Sequence, residues 1–329
     1  MKGDKLRWLA TVLAVAAIMN AAYFLPTPYV VYKPGLAEDV GPMVSVPHPD
    51  VREGSVLMLT TVRQMYPSWA GYVKARFFEP DWDIYKKSDI FREGESRTEY
   101  VERQQFVMLS SQSYAMQAAY DASNIPYTIV YEGVVVLRTI PGMPAAEELR
   151  IGDRLIELDG EAVERSEQVL NKVKDASIGD AWSIRYVRDG ETKEARLVIG
   201  DFAKDPKAEA DRSDASRPGL GIQPADLMAV KAERPEQQVK VEVEDIGGPS
   251  AGLIFALEMV DQLTPGDLTK GYRIAGTGEI LPTGEVDSIG GVKHKVAAAD
   301  LQDADIFFTP KGNAKAAEAQ AKRIGTKMK

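Results

Sequence analysis

Ser250 and the lysines downstream of it are the residues of this chain whose types and setting could do chemistry. The serine sits in Gly247-Gly248-Pro249-Ser250-Ala251-Gly252, after a strand-like run (239–243) and before a helix-like run (253–263). A serine at a strand-to-helix turn has its hydroxyl exposed beside backbone N–H groups. With the positive end of the helix, these groups stabilise an oxyanion. The flanking glycines allow positive φ and close approach of a substrate backbone. The place suits a nucleophile, and the open question is its base. The chain has no cysteine and 2 histidines, His48 and His294. That excludes disulfides, thiolate zinc sites and a cysteine nucleophile. It also excludes a three-histidine metal site, and no His-Glu-x-x-His occurs, so no metal and no cofactor are expected.

Gly248–Gly252 fits Gly-x-Ser-x-Gly, so a Ser-His-Asp arrangement with Asp287 and His294 is one reading. Against it, residues 219–329 are too few for the large parallel sheet of that hydrolase fold, and Pro249 is odd in a strained elbow. The other available base is a lysine made neutral by burial. A lysine amine has a reference pKa of about 10.4, and full burial lowers it by up to about 3–5 units. Residues 289–299 supply candidates. On a helix of about 100° per residue, Val292, Val296 and Ala299 form one stripe. Lys295 lies at the edge of that stripe, whereas Lys293 lies on the opposite flank beside Asp300, where solvent is expected. Geometry therefore picks Lys295 over Lys293. His294 points to a third side, near Leu301, and is expected to be structural or exposed. No Gly-x-x-x-x-Gly-Lys-Ser/Thr loop occurs, so no nucleotide is expected.

These residues need elements to position them, and 329 residues leave room for two or three domains. Trp8 to Leu25 is an almost uncharged apolar run behind Lys2, Lys5 and Arg7, just long enough to span a bilayer. Its positive flank predicts the N-terminus inside and the rest outside the cytoplasm. A cleaved signal peptide is the other reading, with Ala21 and Ala22 near its end. Residues 1–27 are thus expected to form a transmembrane anchor. Residues 54–62 read as a strand and 100–122 as a long helix. The net charge of −9 argues against a nucleic-acid partner.

From Tyr127 the texture changes to short β-rich segments, with Asp189-Gly190 a hairpin turn between alternating strands. The run Ile151-Gly152-Asp153-Arg154-Leu155-Ile156-Glu157-Leu158-Asp159-Gly160 resembles a bacterial PDZ domain, placed at 125–202. The resemblance implies capture of an extended peptide beside a sheet edge, in a groove lined by Gly133, Val134 and Val135. Residues 203–218, charged and proline-bearing, read as a linker.

Gly-Pro-Ser-Ala-Gly, then Gly276-Thr277-Gly278-Glu279-Ile280, then Ile289-Gly290-Gly291-Val292-Lys293-His294-Lys295, together resemble the proteolytic domain of Lon-type proteases. The resemblance covers Gly219 to the C-terminus. It implies a catalytic dyad of Ser250 and Lys295, with Gly248, Pro249, Ala251, Thr277 and Glu279 shaping the active site and its oxyanion donors. The whole layout is similar to the Lon-like PDZ proteases of the YlbL-like group. Tyr29 to Gly35 and Glu244-Asp245-Ile246-Gly247 also look like that group. Gly247 stands where energy-dependent Lon enzymes have an aspartate, which is consistent with the branch lacking an ATPase. In that group the PDZ domain is inserted, so residues 28–124 are expected to pack with the catalytic domain. The family continues past Ile324–Lys329 with a further strand and helix, so an exposed sheet edge is expected here.

The fold class expected is α+β multidomain: an N-terminal transmembrane helix, a PDZ-type β-rich domain, and a Lon-type proteolytic α/β domain at 219–329. The function expected is an ATP-independent serine endopeptidase at the cell membrane, its catalytic domain outside the cytoplasm. Protein or peptide substrates would be recruited by the PDZ domain. The alternative is a non-catalytic, membrane-anchored PDZ scaffold binding peptide tails.

Overall fold

A computed structural model describes residues 2–47, 49, 54, 56–202, 217–243 and 246–329. His48, Glu244, Asp245 and residues 203–216 of the expected linker lie outside the described residues.

Helix α1 (Lys2–Phe24) is apolar over Arg7–Phe24, none of it buried in the protein, and is long enough to cross a membrane. A signal sequence near the N-terminus meets the same criterion of length and hydropathy. Strands β1 (Tyr29–Asp39) and β2 (Val56–Met65) follow. After them come α2 (Trp69–Phe78), β3 (Asp83–Lys86) and the long helix α3 (Arg97–Ala122). Helix α3 starts where it does because Ser96 and Glu99 form a reciprocal cap. Glu99 N–H donates to Ser96 Oγ at 3.2 Å, and Ser96 N–H to Glu99 Oε2 at 2.8 Å.

The β-rich module comprises β4 (Tyr127–Thr139), β5 (Arg154–Leu158), α4 (Ser166–Lys174), β6 (Ala181–Arg188), β7 (Glu191–Val198) and β8 (Ile222–Ala232). Its sheet runs β8-β4-β5-β6-β7, with Glu161–Ala162 pairing β5. Alternate side chains point inward and bury Val134, Val136, Leu155, Leu158, Ile184 and Leu197 in one core.

Strand β8 corrects the expected domain boundary at 219. It pairs antiparallel with β4 along its whole length, from Ile222↔Thr139 to Ala232↔Tyr127. The strand thus closes the β-rich sheet, although it follows the expected linker. An isolated strand of this length has nowhere else to satisfy its backbone groups.

The last part holds α5 (Gly252–Leu263), β9 (Arg273–Gly276), β10 (Glu279–Ile280), α6 (Val292–Asp300), β11 (Ile306–Phe308) and α7 (Ala314–Ile324). Its sheet draws on both ends of the chain, in the order β11-β9-β2-β1-β3. Strand β2 runs parallel to β9 and antiparallel to β1. Lys329 pairs with β11 through Phe307 N–H and Asp305 C=O. A second core packs α3 and α5 onto the sheet, around the fully buried Leu59, Ile254, Phe255 and Met259.

Candidate active site

Three elements meet at Ser250, and each is fixed by ordinary packing. The turn before α5 needs glycine at two places for different reasons. Gly248 has φ +92°, the left-handed region that side chains rarely adopt. Gly252 is crowded: a Cβ there would stand 2.6 Å from Ser111 Oγ and 2.7 Å from an Ile280 methyl. Helix α3 is therefore a wall of the turn. Ser111 Oγ donates to Pro249 O at 2.9 Å, and Gly248 N–H donates to Gln104 O at 2.9 Å.

The segment between β9 and β10 fixes the serine's carbonyl. Gly278 N–H and Thr277 Oγ1 donate to Ser250 O at 2.9 and 3.0 Å. Thr277 is itself fully buried and anchored by its N–H to Phe308 O at 3.0 Å.

Helix α6 brings the amine. Val292, Val296, Ala298 and Ala299 bury one face of it, and Lys295 lies among them at 3% exposure. Lys295 Nζ stands 2.5 Å from Ser250 Oγ and donates to Thr277 Oγ1 at 2.9 Å. Burial pushes the Lys295 amine down from 10.5 to about 7, and among the described residues no carboxylate opposes it. A neutral amine has two protons and one lone pair. With one proton given to Thr277, the lone pair is left to accept from the serine hydroxyl. Such an arrangement can raise the nucleophilicity of Ser250 at neutral pH.

Lys293 and His294 do not face the serine. Both reach Asp83 at the start of β3: Lys293 Nζ at 2.5 Å from Oδ1, and His294 Nε2 at 2.9 Å from Oδ2. His294 is 1% exposed, and burial pushes its pKa down against the pull of Asp83. The Ser-His-Asp alternative with Asp287 is not what the structure assembles: the amine of Lys295 stands at Ser250 Oγ, while the Nε2 of His294 is turned to Asp83. Solvent was the expectation for Lys293. Asp83 supplies a partner that no local pattern announces.

A cleft of about 650 Å³ opens over Ser250. Its walls are residues 59–64 of β2 and the α3 face from Tyr100 to Met108. Glu279 lines it too, its carboxyl pushed up by burial and by Asp287. Of the residues expected to shape an oxyanion hole, Gly248 has its N–H committed to Gln104, and Pro249 has none. The backbone donors that this turn can offer an oxyanion therefore begin at Ser250, at the positive end of α5.

The groove expected at Gly133, Val134 and Val135 is not there. These residues sit mid-sheet, opposite Leu227, Asp226 and Ala225 of β8, while Val134 and Val135 also face Leu155 and Arg154 of β5. With both backbone edges of this stretch flanked by strands, no peptide can add. Strand β8 is the edge instead, and among the described residues no strand covers its outer side. A cavity of about 440 Å³ separates its start from α4, lined by Leu220, Gly221, Ile222, Val169, Leu170 and Val173. The cue in the sequence was Gly219-Leu220-Gly221-Ile222, apolar residues framed by glycines before a strand.

Residues 237–329 match the model of the Lon protease (S16) C-terminal proteolytic domain, and residues 104–199 that of the PDZ domain. The chain is 40% identical over 82 residues to a Lon protease of Clostridium acetobutylicum, covering 25% of this chain and 10% of that one. A Lon protease of Finegoldia magna is 42% identical over 82 residues, with the same shares. The chain thus spans about a tenth of the length of the curated relatives it matches. Among solved structures, the PDZ domain of an SdrC-like protein from Listeria monocytogenes is 26% identical. It covers 29% of this chain and 90% of that one, with a TM-score of 0.25.

Proposed function

We propose that this chain, which carries a PDZ domain and a Lon-type proteolytic domain, is an ATP-independent serine endopeptidase with a Ser250-Lys295 dyad. Neutral Lys295 takes the proton of Ser250 as Oγ attacks the scissile carbonyl. N–H groups at the start of α5 receive the oxyanion. Lys295 then gives the proton to the leaving amine, and water releases the acyl-enzyme. Thr277 holds the amine in register and fixes the serine backbone. The observation that carries this reading is the 2.5 Å contact between Ser250 Oγ and a buried amine of pKa about 7.

Strand β8 and α4 form the tail-binding groove. An extended peptide adds to the free edge of β8 and sets apolar side chains against Val169, Leu170 and Val173. Helix α1 anchors the protein, and the basic residues before it keep the N-terminus in the cytoplasm and the other domains outside. Secreted or membrane-bound proteins and peptides are the substrates this geometry suits.

The test is turnover of an unstructured protein such as casein, without ATP, beside Ser250→Ala and Lys295→Ala. Cleavage by the parent and its loss in both variants is expected. A well-folded parent in which an active-site serine reagent fails to label Ser250 would refute the dyad and favour a peptide-binding scaffold.

A further inference from the structure

A second cavity lies beside the catalytic cleft, which Gln64 lines. Two residues on, Tyr66 lines this cavity of about 990 Å³, walled on one side by residues 87–97 and on the other by Arg138 and Gln223 of the PDZ-type sheet. The wall between the two spaces is aromatic: Phe91 of the second cavity packs on Tyr100 of the cleft, ring centroids 4.9 Å apart.

The second cavity is strongly cationic in a protein of net charge −9. Lys87, Arg92, Arg97 and Arg138 line it, against Glu93 and Glu95. Glu95 is already held by a bidentate bond from Arg103, at 2.6 and 2.9 Å. Arg97 lies over the Tyr66 ring at 4.5 Å, and Arg92 donates to Leu137 O at 3.3 Å. Arg138 has no such partner among the described residues: its Nε is buried without a hydrogen bond, as is Gln64 Nε2 in the adjoining cleft. Lys87 likewise has no ion-pair partner among the described residues. Arg92 has its pKa pulled down by burial and by the charge of Arg103, against the pull of Glu95, with Arg138 adding to the lowering. Unpaired buried donors beside crowded cations are costly unless an anion completes them.

We infer that this chamber is a specificity site for acidic side chains of the substrate polypeptide, with Arg138 and Lys87 as their partners. The inference rests on the proteolytic reading, because what makes the ligand a polypeptide is that the chain from Thr60 to Tyr66 leads from the cleft over Ser250 to the chamber, past the Phe91–Tyr100 border. Thr60 stands level with the catalytic segment, its Oγ1 donating to Gly276 O at 2.9 Å. From Thr60 to Tyr66 an extended strand covers ~20 Å, at ~3.3 Å per residue. The favoured acid therefore lies about six residues from the scissile bond.

The test separates binding from chemistry. Fluorescein-labelled hexaglutamate and hexaglutamine peptides are titrated into the full chain carrying Ser250→Ala, followed by anisotropy. Hexaglutamate is expected to bind at least ~5-fold tighter, as one charge-assisted contact implies. That preference should fall to within ~2-fold when Arg138→Gln or Lys87→Gln is added. Equal affinities, no binding of either peptide, or a preference that survives both substitutions would overturn the inference. Displacement by inorganic phosphate at equal concentration would also overturn it, assigning the chamber to a small anion. With active protein and a proteome-derived peptide library, Asp and Glu should be enriched about six residues from the cut. A binding preference in a chain that cleaves nothing would leave the chamber standing and refute the protease.

Discussion

The Lys295 amine offers the sharpest quantitative check. Its pKa falls from 10.5 to about 7 because a 3% exposed side chain loses water and gains no carboxylate. With that value the neutral fraction is about one-eleventh at pH 6 and about ten-elevenths at pH 8, since the base must be unprotonated to act. The second-order rate of labelling Ser250 by a fluorophosphonate should therefore rise about tenfold from pH 6 to 8 and then level off. A rate that keeps climbing about tenfold per pH unit to pH 10 would show an ordinary lysine and refute the argument. So would a flat profile. Stability carries the same signature. The folded pKa lies below the unfolded one, so the unfolded chain binds the extra proton between pH 7 and 10.5. The buried amine then costs stability at and below neutral pH, by about 5 kcal/mol for the full shift, as an order of magnitude. The cost disappears as pH rises through that window. Lys295→Met should accordingly stabilise the catalytic domain at pH 7 more than at pH 9, by about 2 kcal/mol. Urea unfolding followed on that domain reads the difference.

Thr277→Val removes the acceptor of the Lys295 amine and a donor to Ser250 O. Serine labelling should fall at least ~10-fold, with about 1–3 kcal/mol lost in stability. Thr277→Ser should restore most of the labelling. Asp83→Ala leaves Lys293 and the buried His294 without their carboxylate, so α6 loosens. Faster hydrogen exchange over residues 292–300 and several-fold slower labelling are expected, and unchanged exchange would remove Asp83 from the positioning of α6. Leu170→Asp puts a charge on the wall of the β8–α4 groove at a 57% exposed position. It should weaken binding of apolar C-terminal peptides about tenfold and leave the circular dichroism spectrum unchanged. Phe255→Ala empties a fully buried site between α5 and the sheet and should cost about 3–5 kcal/mol, read by thermal unfolding.

What was legible in the sequence was local. The long helix was legible as 100–122 from its apolar period, three residues short of the start that Ser96 and Glu99 set, and the β6–β7 hairpin from Asp189-Gly190. Three short motifs marked Ser250, Thr277 and Lys295, and one helix projection separated Lys295 from Lys293. These depend on propensity, turn chemistry and the helical period, which act over a few residues. What the sequence missed was pairing across distance. Strand β8 lies beyond the expected linker yet closes a sheet whose other members precede it. That choice moved the peptide edge from Gly133–Val135 to β8, because a strand paired on both sides has no backbone groups left to offer. Asp83 reaches Lys293 and His294 across some two hundred residues, and Arg138 shares a cavity with Lys87 across some fifty. The types of the candidate site residues were set by the sequence alone. The burial that lowers the pKa of Lys295 was decided by tertiary structure, since desolvation depends on which elements close over the amine.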